Sequence, residues 1–130
     1  MAVEPASGAV RAQGVVMDET ILVIDDHHDY AETLALVLQL RGFRATAVSD
    51  PLAALAHVAQ QPPDLILSDV QMPGLDGVSL ARRIRELGYQ VPIMLMSGEP
   101  IPPLDLPAVQ VASKTIEMEA LITLVERHFT

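Results

Sequence analysis

Short apolar runs alternate with longer segments of helical periodicity from about residue 20 to the end of the chain. Several of the runs are continuous stretches of Val, Ile, Leu and Met, which is typical of strands buried on both faces of a parallel sheet. We predict five strands, at residues 21–24, 43–48, 64–69, 91–96 and 109–112. Between and after them the pattern predicts helices at residues 29–41, 51–60, 78–87 and 117–127.

The ends of these helices carry recognisable capping residues. Asp50 and Pro51 stand at the N-cap and the first position of the second helix, where an acceptor side chain and a fixed φ are favoured. Gly42 and Gly88 follow the first and third helices, as expected of C-terminal caps. Strand–helix alternation implies a parallel sheet covered on both sides and joined by right-handed crossovers. We therefore predict an α/β, flavodoxin-like, doubly wound five-stranded parallel sheet of order 2-1-3-4-5.

Composition limits the protein to one domain of ordinary size. The chain has 130 residues, of which 50% are hydrophobic and 3% aromatic, so an aliphatic core is expected. With 17 acidic and 8 basic residues the net charge is −9, which disfavours direct binding to nucleic acid or to an anionic membrane. We predict a disordered N-terminal tail at residues 1–17 and a folded domain at residues 18–130. The chain has no cysteine and no apolar run long enough to span a membrane, its N-terminal segment fits a secretory signal poorly, and a cytoplasmic location is expected.

Acidic residues follow two of the predicted strands. Asp25 and Asp26 come directly after the first strand, and Asp69 ends the third. These two strands are neighbours in the predicted order, and their carboxyl ends form the crevice where ligands bind in such sheets. Clustered carboxylates repel each other unless a cation compensates them, and Mg²⁺ prefers oxygen ligands of this kind. The sequence therefore predicts a Mg²⁺ site, and Lys114, the single lysine, follows the fifth strand near it.

From about residue 20 to residue 129 the chain resembles the receiver domain of two-component response regulators. Four sequence stretches carry the resemblance: Ile-Leu-Val-Ile-Asp-Asp at 21–26, Leu-Ser-Asp-Val-Gln-Met-Pro-Gly-Leu-Asp-Gly at 67–77, Met-Ser-Gly at 96–98 and Ser-Lys at 113–114. The second stretch is highly specific, and its spacing to the others agrees with the family.

The resemblance implies a role for each matching residue. Asp69 is implied to be the phosphoacceptor, a carboxylate nucleophile that forms an aspartyl phosphate. Asp26 and the backbone carbonyl of Gln71 are implied to bind the metal together with Asp69, and Asp25 to hold a water of the ion. Ser97 and Lys114 are implied to contact the phosphoryl oxygens.

The chain departs from the family pattern between the fourth and fifth strands. Receivers usually carry an aromatic residue three positions before the lysine, where this chain has Val111. The segment at residues 100–107 contains four prolines, which remove backbone donors and disfavour helix at the residues before them. We therefore expect the fourth helix of the family to be reduced or absent.

Two further features bear on partners. Leu36 and Leu40 project away from the core-facing stripe of the first helix, and an exposed apolar pair there fits docking of a histidine kinase or histidine phosphotransfer protein. Ordinary scattered surface leucines explain the pattern equally well. His27 and His28 are interpreted as solvated loop histidines in preference to metal ligands.

The sequence favours a single-domain receiver that takes a phosphoryl group from a phosphohistidine onto Asp69 with Mg²⁺ and catalyses only its own modification. The downstream protein is unknown, and no direct nucleic acid or membrane contact is expected. One alternative is a Mg²⁺-dependent phosphatase with an aspartate nucleophile, although such enzymes separate their two acids by one residue, whereas Asp25 and Asp26 are adjacent. Another is a receiver-like interaction module that is not phosphorylated.

Overall fold

The structure, a computed structural model, describes residues 9–10 and 16–130, with side chains from residue 18 onwards. The predicted disordered tail at residues 1–17 thus lies largely outside the described residues, and its disorder stays a prediction. Two short strands within it, Ala9–Val10 and Val16–Met17, pair antiparallel.

The body of the protein is a five-stranded parallel sheet flanked by four helices. Its strands are β1 (Thr20–Ile24), β2 (Arg44–Val48), β3 (Leu65–Asp69), β4 (Ile93–Ser97) and β5 (Val109–Ser113). Its helices are α1 (His28–Leu40), α2 (Pro51–Gln60), α3 (Gly77–Glu86) and α4 (Met118–His128). The strand order is β2-β1-β3-β4-β5 and every neighbouring pair in it is parallel, which confirms the predicted flavodoxin-like topology.

The sheet separates two aliphatic cores, because successive side chains along a strand point to opposite faces. On one face, residues such as Val23 and Leu67 pack against α1 and α4. On the other face, residues such as Leu22 and Ile66 pack against α2 and α3. The core face of α4 consists of Leu121, Ile122 and Val125, which are fully buried; Met118 and Phe129 pack at its edge.

The predicted caps of α1, α2 and α3 are present. The Asp50 carboxylate accepts hydrogen bonds from the backbone N–H groups of Leu52 and Ala53 at the start of α2. Gly42 and Gly88 have φ values of 97° and 94°, which only glycine adopts without strain. The chain can therefore reverse after α1 and α3 and enter the next strand within a few residues.

No helix lies between β4 and β5 in the described chain, so the predicted loss of the fourth family helix is confirmed. Residues 98–108 run as an irregular strap instead. The strap covers the sheet with three partly buried apolar side chains, Ile101, Leu104 and Leu106.

Arg85 at the end of α3 ties the strap to the body of the protein. Its guanidinium donates to the carbonyl oxygens of Pro107 and Tyr89 at 3.0 Å and of Ala108 at 3.3 Å. Burial lowers the pKa of Arg85. Two of these carbonyl groups, those of Pro107 and Ala108, belong to the strap, so the bonds fix its end against α3.

No helix in the described part of the chain is long and apolar enough to cross a membrane.

Candidate functional site

The carboxyl ends of β1 and β3 bring the predicted acidic residues together. Asp25 directly follows β1, and Asp69 is the last residue of β3, in register with Met96 of β4. The backbone continues the sheet beyond β1 through a bond of 3.2 Å from Asp25 N–H to the Val48 carbonyl. The acids are therefore fixed by the rigid edge of the sheet.

The acidic side chains differ in exposure although they converge. Asp25 and Asp69 are 0% and 1% exposed, whereas the Asp26 side chain is 29% exposed. One ligand atom from each of Asp25, Asp26, Asp69 and His27 can be chosen so that all lie within 4.8 Å of one another. The structure thus brings the predicted acids together and adds a histidine that the sequence argument had set aside.

Lys114 reaches this cluster from the end of β5. Its Nζ donates to Asp69 Oδ2 at 2.7 Å and lies 3.5 Å from Asp25 Oδ2. A backbone bond of 2.7 Å from Lys114 N–H to the Ser97 carbonyl fixes the position from which the side chain extends. Desolvation lowers the pKa of Lys114, but the hydrogen bond to Asp69 and the charges of Asp25 and Asp69 outweigh it, so the pKa is raised. The side chain is therefore an ammonium ion at neutral pH.

One lysine does not satisfy all the carboxylate oxygens. Asp25 Oδ2 and Asp26 Oδ1 are buried and have no hydrogen-bond partner. Lys114 Nζ lies 3.5 Å from Asp25 Oδ2, and His27 Nδ1 lies 3.4 Å from Asp26 Oδ1. Neither contact is a hydrogen bond. Buried anionic oxygens without partners are costly, and a divalent ion with oxygen ligands would satisfy them. The residues present therefore fit a Mg²⁺ ion.

Ser97 lies in the same crevice but its hydroxyl is occupied. It is 4% exposed at the end of β4, its Oγ donates to the Glu99 carbonyl, and it accepts from Glu99 N–H at 3.2 Å. The structure therefore places Ser97 beside the site in a hydroxyl orientation that serves the turn at Glu99.

The loop after β3 is held close to the acidic cluster. Gln71 N–H donates to Asp69 Oδ1 at 3.3 Å. Gly77 opens α3 against the backbone of Asp69, where a Cβ atom would lie 2.2 Å from the Asp69 carbonyl oxygen. Only glycine fits this approach.

Position 111, where the family usually has an aromatic residue, is exposed to solvent. Val111 is 48% exposed on β5, and a surface cavity of about 260 Å³ lies between it and Ser97, lined also by Gly98, Glu99 and Pro100. Gly98 has no atom within 4 Å of where a Cβ would lie, so the approach there is unobstructed.

Tyr30 was missed by sequence analysis. Burial raises its pKa, and so does the charge of Asp25, while Lys114 lowers it. The sequence feature that could have indicated that Tyr30 lies near the acidic cluster is its place in the first turn of α1.

Comparison with known proteins assigns the family. The family model of the response regulator receiver domain matches residues 21–126. The chain belongs to this family, whose members are signalling domains of two-component systems.

The chain is similar to full-length transcriptional regulators over part of their length. CseB of Streptomyces coelicolor is 42% identical over 82 residues, which are 62% of this chain and 35% of that protein. The phosphate regulon regulator PhoB of Pseudomonas aeruginosa is 33% identical over 86 residues, which are 65% of this chain and 38% of that protein. The chain thus matches only about a third of the length of these relatives.

Solved structures show the same fold. The receiver domain of the hybrid histidine kinase CckA has a TM-score of 0.73 at 27% identity, covering 85% of this chain and 99% of that one. The response regulator TrrA of Thermotoga maritima, solved in complex with Mg²⁺ and BeF, has a TM-score of 0.72 at 26% identity, covering 84% and 97%.

Proposed function

We propose that this receiver accepts a phosphoryl group from a phosphohistidine of a kinase or phosphotransfer protein onto Asp69. The observation that carries the proposal is the cluster itself, in which an ammonium ion and unpartnered buried carboxylate oxygens surround one carboxylate. Structural ion pairs are normally matched in charge, whereas here three acids face one lysine. The excess negative charge supports a site that binds a cation.

The proposed chemistry is an in-line transfer. A carboxylate oxygen of Asp69 attacks phosphorus, the bond from phosphorus to the imidazole nitrogen breaks, and the partner's histidine leaves with that electron pair. Lys114 already lies at Asp69 Oδ2, and its ammonium group is positioned to neutralise charge on the phosphoryl oxygens.

The metal ligands in this proposal are Asp26, Asp69 and the Gln71 carbonyl, with Asp25 holding a coordinated water. Mg²⁺, when bound, would neutralise the phosphoryl oxygens and compensate the acids. Hydrolysis of the aspartyl phosphate later restores the carboxylate, so the protein catalyses only its own modification.

Ser97 would have to change its hydrogen bond in order to take part. Its hydroxyl now bonds to Glu99, and contact with a phosphoryl oxygen requires rotation away from that carbonyl. Since the strap begins at this turn, we propose that phosphorylation alters the start of the strap near Glu99.

The test is an intact mass measurement after incubation with acetyl phosphate and Mg²⁺. The wild type should gain one phosphoryl group, and Asp69→Asn should gain none. Asp105→Asn, an exposed acid of the strap, is the matched control and should be modified like the wild type. Modification of Asp69→Asn, or none in the wild type, contradicts the proposal.

For docking we propose the exposed apolar pair on α1. Leu36 and Leu40 are 55% and 77% exposed, and Leu36 also lines a groove between α1 and β2. Leu36→Asp should slow transfer from the phosphohistidine partner and leave modification by acetyl phosphate unchanged. Leu52→Asp is the control, since Leu52 is a leucine of α2 that is 67% exposed, and it should change neither rate. Equal slowing of both reactions by Leu36→Asp would exclude docking there.

A receiver-like module that works without phosphorylation is the second candidate. The exposure of Val111 and the engaged hydroxyl of Ser97 favour it, because both differ from what the family resemblance implies. A cytoplasmic location is part of the phosphoacceptor proposal, since the kinases of such systems present their phosphohistidine there.

A further inference from the structure

His27 is the part of the acidic cluster that the proposed function leaves unexplained. Its Nδ1 lies 3.1 Å from Asp25 Oδ1 and 3.4 Å from Asp26 Oδ1. Its backbone N–H also donates to Asp25 Oδ1 at 2.9 Å, which holds the residue over the crevice. The ring itself is 70% exposed, so it can adjust without disturbing the core.

These distances match the spacing of ligands around one ion. In an octahedral site with bonds of about 2.1 Å, adjacent ligand atoms lie about 3.0 Å apart and opposite ones about 4.2 Å. The histidine-to-carboxylate distances are close to the first value, and all four candidate ligand atoms lie within 4.8 Å of one another. A tetrahedral ion requires all its ligand atoms within about 3.4 Å, so the cluster fits an octahedral ion better.

The second observation is the pair of unpartnered oxygens. Asp25 Oδ2, on a side chain that is 0% exposed, lacks a hydrogen-bond partner, and so does Asp26 Oδ1, whose side chain is 29% exposed. His27 Nδ1 contacts the other oxygen of Asp25 and lies 3.4 Å from Asp26 Oδ1. An imidazole nitrogen at the mouth of an oxygen site changes which ions bind, because imidazole favours later first-row transition metals over Mg²⁺.

We propose that His27 Nδ1 is a nitrogen ligand that allows this site to bind an octahedral first-row transition ion together with the acidic carboxylates. Binding of the ion through Nδ1 requires the tautomer whose ring hydrogen is on Nε2. The inference rests on the proposed ion site and deepens it by assigning its metal selectivity. Mg²⁺ keeps its oxygen ligands and does not need His27.

Removing the His27 imidazole should lower the affinity of the site for Ni²⁺ and leave its affinity for Mg²⁺ nearly unchanged. Calorimetric titration with Ni²⁺, which accepts both imidazole and octahedral geometry, should show binding to His27→Asn weakened by about tenfold or more, a common effect of disturbing a metal's ligand shell. Binding of Mg²⁺ should stay within about twofold, since none of its oxygen ligands is lost. His28→Asn is the matched control: the His28 side chain is 69% exposed, its Nε2 lies 4.0 Å from Glu32, and it is not among the candidate ligands in the described part of the chain. The affinity of this variant for both ions should therefore equal that of the wild type.

A spectroscopic measurement identifies the ligand directly. Pulsed electron paramagnetic resonance of the Mn²⁺-loaded protein should show coupling to an imidazole ¹⁴N nucleus in the wild type and in His28→Asn, and none in His27→Asn. Unchanged ¹⁴N coupling or unchanged Ni²⁺ affinity in His27→Asn overturns the inference. Failure of the wild type to bind Mg²⁺ would instead overturn the ion site of the proposed function, so the two failures are distinguishable.

Discussion

The replacement Lys114→Met tests the electrostatics of the site most directly. Lys114 Nζ lies 2.7 Å from Asp69 Oδ2 and 3.5 Å from Asp25 Oδ2, and its side chain is 27% exposed. With an effective dielectric constant near 20 the Coulomb attraction is about 6 and about 5 kcal/mol for the two contacts, before the cost of desolvation. Removing one member of such a partly buried group costs about 3 kcal/mol after that offset. The melting temperature should therefore fall by about 12 °C, at about 4 °C per kcal/mol.

Mg²⁺ should reverse much of this loss. The ion and the ammonium group neutralise the same carboxylates, so each stabilises the folded protein less when the other is present. At one hundred times its dissociation constant Mg²⁺ should stabilise the wild type by about 2.7 kcal/mol, and at the same concentration it should stabilise Lys114→Met more.

The assays are thermal unfolding and urea unfolding, both followed by circular dichroism, with and without Mg²⁺. Arg41→Met is the control, because it removes a cation that pairs with Glu119 and Glu126 on the surface, where ion pairs contribute little. Equal Mg²⁺ stabilisation of Lys114→Met and wild type, or an unchanged free energy of unfolding without the ion, would refute the reasoning.

Two further replacements test the backbone that supports the site. Gly77→Ala should destabilise by about 1–3 kcal/mol in urea unfolding and slow modification of Asp69, because the new Cβ would lie 2.2 Å from the Asp69 carbonyl oxygen; Gly98→Ala, which has open space, should cost less than about 0.5 kcal/mol. A wild-type value for Gly77→Ala would show that this close approach is not real. Arg85→Ala should cost about 2 kcal/mol and increase hydrogen exchange in the strap, since it removes a charged donor from three carbonyl groups; Arg82→Ala on the exposed face of the same helix should leave exchange in the strap unchanged.

Most of the secondary structure follows from local sequence. The continuous apolar runs and the caps at Asp50, Gly42 and Gly88 placed the helices and strands within one or two residues of their observed bounds. The fourth strand begins at Ile93 and not at residue 91, because Pro92 has no N–H to give to the sheet. The prolines of the strap likewise excluded a helix there, which is again a property of the backbone alone.

The sequence determined the topology of the site, and tertiary packing decided its chemistry. That Asp25, Asp26 and Asp69 meet follows from strand order, because the carboxyl ends of neighbouring parallel strands share an edge. Adjacency in sequence could not show that the Asp25 side chain is 0% exposed and that of Asp26 is 29% exposed. Nor could it show that Ser97 is held by Glu99 or that His27 joins the acids. Burial and side-chain direction depend on what other elements pack around a residue, and that information exists only once the chain has folded.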